Sequence, residues 1–310
     1  MMKRIPSFSV FFVGTFLVLL VSSSCKETVE ETIPNNSVED IHRVSTIKIE
    51  NYVNRCFIDL IGRSPLDEEL ERETITLREA NLSRDARLAL IRKLQTDSSP
   101  VVGDVNYTTA YHQRLYDEVK SRMIEGVADG EITRYIGLAS FSLRVARLEG
   151  DSVRVFRALE QIDRHQRVVD SRWQLQQDSI TLNEMFARMM DNSVYDQINM
   201  NTFNFVNASF DDLFYRFPSQ AEFQAAFSII QDNVIGSVLG GFASNKREYC
   251  LLLANSTEFY EGLIIWAYQG LLGRDPTTQE VVNHISQLEQ TGDYKKLQEE
   301  IIVMDEYGNF

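Results

Sequence analysis

Histidine, cysteine and proline are all scarce in this chain of 310 residues, and basic residues are outnumbered by acidic ones. His42, His112, His165 and His284 are widely separated, and neither they nor the three cysteines form the paired spacing that zinc requires, so no metal site is expected. There is no C-x-x-C-H for covalent haem, no Walker loop, no G-x-S-x-G and no G-x-G-x-x-G. The expectation is therefore a protein without a cofactor and without catalytic residues. With 31 Lys and Arg against 45 Asp and Glu, the net charge is −14. That balance excludes nucleic acid, whose phosphates demand cationic clusters, and argues against broad adhesion to anionic lipid.

Scarcity of proline shapes the fold. Beyond residue 24 only Pro34, Pro65, Pro100, Pro218 and Pro276 remain, leaving long spans free of helix breakers. Residues 87–94, 111–123, 154–167 and 213–230 repeat apolar side chains at three and four spacing, the helical period, while strand-like alternation is scarce. An all-α fold follows, a helical bundle or repeat array, with 44% apolar residues to build its core. The one glycine doublet, Gly240-Gly241, reads as a helix break. Met185, Met189, Met190 and Met200 alternate with Phe186 and Ile198, which favours core packing over a soft-metal site. Trp266, on an apolar helical stretch, is expected in the core rather than at a glycan site. Cys56 and Cys250 both sit in apolar helical patterns; two buried thiols are the favoured reading and a disulfide the alternative.

Long hydrophobic runs are missing too, save one over residues 10–21, which is too short to span a bilayer. It follows Met1-Met2-Lys3-Arg4 and precedes Ser22-Ser23-Ser24-Cys25. This opening resembles the signal of a bacterial lipoprotein, with 1–24 removed and Cys25 acylated. The resemblance implies a mature protein hung from a membrane by its first residue, each buried methylene contributing roughly 0.8 kcal/mol. Loss of Lys3 and Arg4 moves the net charge from −14 to −16. The loose box and the Lys26-Glu27-Thr28-Val29-Glu30-Glu31 that follows are similar to those of Bacteroidetes lipoproteins exported to the outer face of the outer membrane. Residues 25–45 read equally as a flexible acidic tether.

Three of the prolines stand in one recurring pattern. The copies are residues 57–69, 210–222 and 268–280, centred on Arg63, Arg216 and Arg274. Counting from the arginine, each has an aromatic six before, Leu three before, Pro two after (Pro65, Pro218, Pro276) and Glu six after (Glu69, Glu222, Glu280). The pattern reads as a helix corner. Gly62 or Gly273 ends the first helix in the left-handed conformation, Ser64 or Asp275 caps the next, and proline takes its first position. Ser64 with Asp67 offers a capping box. In the second copy Tyr215 and Phe217 replace the glycine and the cap, so a distorted corner is expected there. The arginine fork is expected to reach the glutamate, or the carbonyls ending the first helix, and so pin the crossing angle. A ligand-binding set for carboxylates or phosphates is the less favoured reading.

Leu271-Leu272-Gly273-Arg274-Asp275-Pro276 and Leu60-Ile61-Gly62-Arg63-Ser64-Pro65 resemble the helical LLGR-x-P domains of unknown function in bacterial surface proteins and, more distantly, phycobilisome linker domains. The likeness extends to a lead-in helix over 247–259 and to a faded echo at 300–307. It implies a helical fold and an assembly or surface role, and carries no catalytic residues. The expected organisation is a signal at 1–24, a tether at 25–45, a helical domain at 46–200 with one corner and a second at 201–310 with two. Within 106–201, the first half, 111–150, is expected to pack on the first corner and the more polar second half, through 164–175, to project or bridge. The leading functional expectation is a non-enzymatic surface lipoprotein, a scaffold or accessory subunit of an outer-membrane transport, secretion or adhesion assembly, partnered by other surface proteins. The alternative is a glycan- or peptide-binding, even hydrolytic, lipoprotein. A concave aromatic-lined pocket with convergent carboxylates would favour the alternative, and a flat or grooved apolar face without such a pocket the scaffold.

Overall fold

Short polar side chains cut the chain into helices. In the computed structural model, which describes residues 44–310, Ser83, Asn106, Asp151, Thr181, Asn201, Asn245 and Ser256 each accept a backbone N–H from the first turn of the helix they precede. Fifteen helices result among the described residues, with one two-stranded hairpin, and the fold is an all-α array. The signal at 1–24, Cys25 and the tether up to residue 43 lie outside the described residues.

Three helices, α1 (Thr46–Ile61), α2 (Asp67–Glu79) and α3 (Arg84–Thr96), lead to α4 (Tyr107–Ile124). Then come a long helical hairpin, α5 (Asp129–Glu149) and α6 (Ser152–Gln176), and three helices, α7 (Leu182–Met190), α8 (Ser193–Asn199) and α9 (Thr202–Phe214). The chain continues through α10 (Gln220–Asp232), β1 (Gly236–Val238), β2 (Gly241–Ala243), α11 (Lys246–Ala254), α12 (Thr257–Leu272), α13 (Thr278–Thr291), α14 (Tyr294–Ile302) and α15 (Asp305–Gly308). Helix α4 is the hub, packing on α1, α3, α6 and α7 through the buried Tyr111, Tyr116, Val119 and Met123. Where α9 meets α12, a Cβ on Gly262 would stand 1.9 Å from the Leu213 carbonyl oxygen, so only glycine permits the approach.

Several expectations need correction. Residues 44–310 form one compact unit, so the boundary near 200 separates no two bodies. The first described helix closes on the last two: Tyr52 Oη donates to Ile302 O of α14 at 3.2 Å, and Tyr307 Oη of α15 donates to Asp59 at 2.9 Å. The stretch 213–230 is two helices with the second corner between them, and 247–259 is broken where Ser256 caps α12. Gly240-Gly241 belongs to a β-turn: Leu239 (φ 52°) and Gly240 (φ 78°) are both left-handed, the geometry that suits a two-residue hairpin. Met185, Met189 and Met190 are buried, but Met200 is 78% exposed. Trp266 is half-buried, its ring stacked on Tyr294. Cys56 and Cys250 are buried free thiols.

The middle segment keeps part of its expected layout, since α4 packs on α1 and Tyr107 donates to Glu69 at the first corner. Residues 164–175 of α6 pack back on the body through His165, Val168 and Ser171. What projects is the distal hairpin, the end of α5 and the start of α6, where Gly150 terminates one helix in the left-handed region and Asp151 caps the other.

Candidate functional site

All three corners close on the same ion pair. Arg63 donates to both Glu69 oxygens at 2.7 and 2.9 Å, Arg216 to both of Glu222 at 3.0 and 2.8 Å, and Arg274 to both of Glu280 at 2.9 and 2.7 Å. Each arginine also donates to the carbonyl of the next residue, at Ser64, Phe217 and Asp275, and not to the carbonyls that end the first helix. Each guanidinium lies 5.0–5.5 Å from the centre of the motif's own aromatic ring, Phe57, Phe210 or Tyr268. That contact explains why an aromatic stands six residues before the arginine.

The caps sit elsewhere than expected. Helices α2, α10 and α13 begin two residues after Pro65, Pro218 and Pro276, and the N-caps are Leu66, Ser219 and Thr277. Proline therefore lies just outside the helix, while Ser64 and Asp275 cap nothing. Ser219 with Glu222 and Thr277 with Glu280 form full capping boxes; at Leu66 only the glutamate half exists, the amide donating to Glu69 at 2.8 Å. The second corner is not distorted. Tyr215 takes the left-handed place of glycine (φ 56°, ψ 30°), its hydroxyl receives Arg122, and that guanidinium stacks on its ring at 4.4 Å.

A second carboxylate meets every corner arginine: Asp104 at Arg63 (2.6 Å), Glu258 at Arg216 (2.7 Å) and Glu306 at Arg274 (2.6 Å). Two acids on each guanidinium leave no cationic site for an anionic ligand, so the arginines serve packing. Burial would raise the Glu69 carboxyl, yet Arg63, Tyr107 and the Leu66 amide hold it at about 2. Arg216 and Arg274, against burial and aided by Ser219 and Thr277, hold Glu222 and Glu280 at about 2 as well.

The projecting hairpin is the most conspicuous exposed feature. Leu138, Phe141 and Leu148 share the face of α5 opposite the buried Leu143 and Ala146; Val153, Phe156 and Leu159 lie on α6 opposite the buried Ala158. Leu148 is 90% exposed, Phe156 68% and Phe141 61%. The same stretch carries Arg144, Arg147, Arg154 and Arg157 but no lysine. Helix α5 has 21 residues, about 30 Å of helix, of which the first turns pack on the body and the distal part forms the arm.

Among the described residues, two of the cavities are large enough to hold a small molecule. One, of about 510 Å³, gathers Asp59 of α1, Arg114, Glu118 and Arg122 of α4, and Trp266 of α12. Burial pushes Glu118 up to about 7 despite Arg114 at 2.8 Å, and raises Asp59 too. Its arginines are occupied: Arg122 donates to Asp212 O and to Tyr215, and Arg114 holds Glu118. The second, of about 680 Å³, lies among α4, α13 and α14 and the segments that enter α7 and α12.

Sequence reasoning found the three arginines, prolines and glutamates, and the structure joins each arginine to its glutamate. It missed Asp104, Glu258 and Glu306, which stand 41, 42 and 32 residues from their arginines and so share no spacing. Lipidation at Cys25 falls outside the described residues. No family model, no curated protein and no solved structure matches this chain.

Proposed function

We propose that this chain is a non-enzymatic lipoprotein scaffold, held to the outer membrane through Cys25, that docks a protein partner of a surface transport, secretion or adhesion assembly along its α5–α6 arm. One observation carries the reading: six large apolar side chains on the outward faces of the arm are exposed to water. Burying a side chain such as Phe or Leu stabilises an association by roughly 1.5–3 kcal/mol, so a surface left open in this way favours a partner. The interleaved arginines support it, because interfaces are enriched in aromatics and arginine and depleted in lysine. The likeness of the corners to LLGR-x-P domains supports a helical assembly role. The lipobox likeness at Ser22-Ser23-Ser24-Cys25 supports anchoring and a surface location.

The test is affinity purification of the protein from its native membrane in mild detergent, with and without Phe141→Asp and Phe156→Asp. A stoichiometric partner that the double variant loses, while keeping its melting temperature, is the expected result. A partner retained in full by the variant contradicts docking on the arm. A Cys25→Ala form that still fractionates with the membrane contradicts lipid anchoring. The ligand-binding alternative draws support from the 680 Å³ cavity, whose aromatics and carboxylates meet the pattern it requires.

A further inference from the structure

The larger cavity is walled by polar and apolar groups in about equal measure, and its apolar side is Leu115, Leu175, Ile180 and Leu182, with the rings of Tyr111 and Tyr294. Its polar groups are unbalanced. His112 is buried, and its Nδ1 lies 2.6 Å from the Thr108 carbonyl oxygen. A carbonyl only accepts, so Nδ1 carries the proton. Burial holds the imidazole below its ordinary pKa, which leaves the ring neutral and Nε2 a bare acceptor. Among the described residues nothing donates to that nitrogen.

Asn183 is in the same condition. Its amide nitrogen donates to Ala254 O at 2.7 Å and to Tyr260 Oη at 2.9 Å, which uses both hydrogens and fixes the orientation of the group. Its carbonyl oxygen accepts no hydrogen bond among the described residues, although the side chain is only 4% exposed. Two oriented acceptors, His112 Nε2 and Asn183 Oδ1, therefore lack a donor among the described residues and are left to pair with whatever enters the cavity, water or ligand. Around them Asp178, Glu289 and Asp293 outnumber Lys295, the single basic residue of the lining, so the field favours a cation.

We propose that this cavity binds a protonated primary amine on an apolar body, its ammonium donating to His112 Nε2 and Asn183 Oδ1 while the body lies against the leucine and tyrosine wall. An anion would meet acceptors and carboxylates, and a plain hydrocarbon would leave both acceptors unpaired. A free aralkyl amine and the amino end of an apolar peptide present the same chemistry. The inference rests on the cavity alone and is independent of the docking arm.

Isothermal titration of the mature full-length protein in detergent tests it, with phenethylamine, phenylacetate, and a Phe-Leu amide that is free or acetylated at its amino end. Saturable one-to-one binding of phenethylamine, at least tenfold tighter than phenylacetate, is expected, as is loss of Phe-Leu amide binding on acetylation. Tighter binding of the dipeptide than of phenethylamine assigns the site to peptide ends; the reverse assigns it to free amines. His112→Phe should weaken the amine at least tenfold. Because that variant can disturb α4, Glu289→Lys at the exposed rim provides a second readout and should weaken it several-fold with an unchanged melting temperature. No saturable heat with either amine up to about 10 mM, or equal binding of phenylacetate, overturns the proposal.

Discussion

Arg63, Arg216 and Arg274 each hold two carboxylates and cover one aromatic ring, a task that needs a planar, permanently charged fork. Removing one leaves two acids unpaired beside a packed corner. Arg63→Ala and Arg274→Ala should each lower stability by about 2–3 kcal/mol, a fall of roughly 5 °C or more in melting temperature. Arg63→Lys should not restore it, because an ammonium cannot span both Glu69 oxygens and Asp104. Two unchanged melting temperatures would refute the pinning role. The same residues set the pH dependence. Glu69, Glu222 and Glu280, at about 2 in the fold, contribute stability that is present above their ordinary value of 4.5 and is lost as pH falls toward 2. Glu118 and Asp212, pushed by burial to about 7 and about 6, favour the fold while protonated, and that contribution is lost as pH rises through the interval above about 4. Melting temperature measured from pH 3 to 8 should therefore peak near pH 5. A steady rise to pH 8 would contradict both assignments.

At the scale of elements, the corner was legible because it is local: aromatic, Leu, Arg, Pro and Glu fall within 13 residues, and helix geometry turns that spacing into contacts. Its cap was misplaced by two residues because proline suits the first helical position and the position before the cap alike, and only the backbone decides between them. Tyr215 looked like a defect, since few side chains adopt positive φ, but Arg122 of a distant helix donates to its hydroxyl and stacks on its ring. The arm was misread for a related reason. Leu138, Phe141, Leu148, Val153, Phe156 and Leu159 have the period of core residues, and nothing in a single sequence tells an unpartnered apolar face from a covered one. The crossing of α9 and α12 makes a sharper prediction. Gly262→Ala would drive a Cβ into the Leu213 carbonyl and should lower stability by more than about 3 kcal/mol, read as a large fall in melting temperature. An alanine variant that melts with the parent protein would show that the helices cross farther apart.

Over the whole molecule, two sequence halves share one body. Arg55 of α1 donates to Tyr307 O at 2.8 Å and to the Leu271 carbonyl that ends α12, and Arg87 of α3 pairs with Asp305 at 2.7 Å. These contacts join residues more than 200 positions apart, which is why composition and motif spacing suggested two domains where packing makes one. The cavities were equally hidden, since His112 and Asn183 acquire meaning only through the partners that fix them. What remains outward is the arm, on a body whose net charge disfavours nucleic acid and anionic lipid alike. The scaffold account is tested most directly by photo-crosslinking in the native membrane from a benzophenone side chain placed at Phe141 or Phe156, with exposed Phe242 of the β-hairpin as control. The account predicts one discrete crosslinked species from both arm positions and none from Phe242. No crosslink from the arm, or the same species from all three positions, would contradict it.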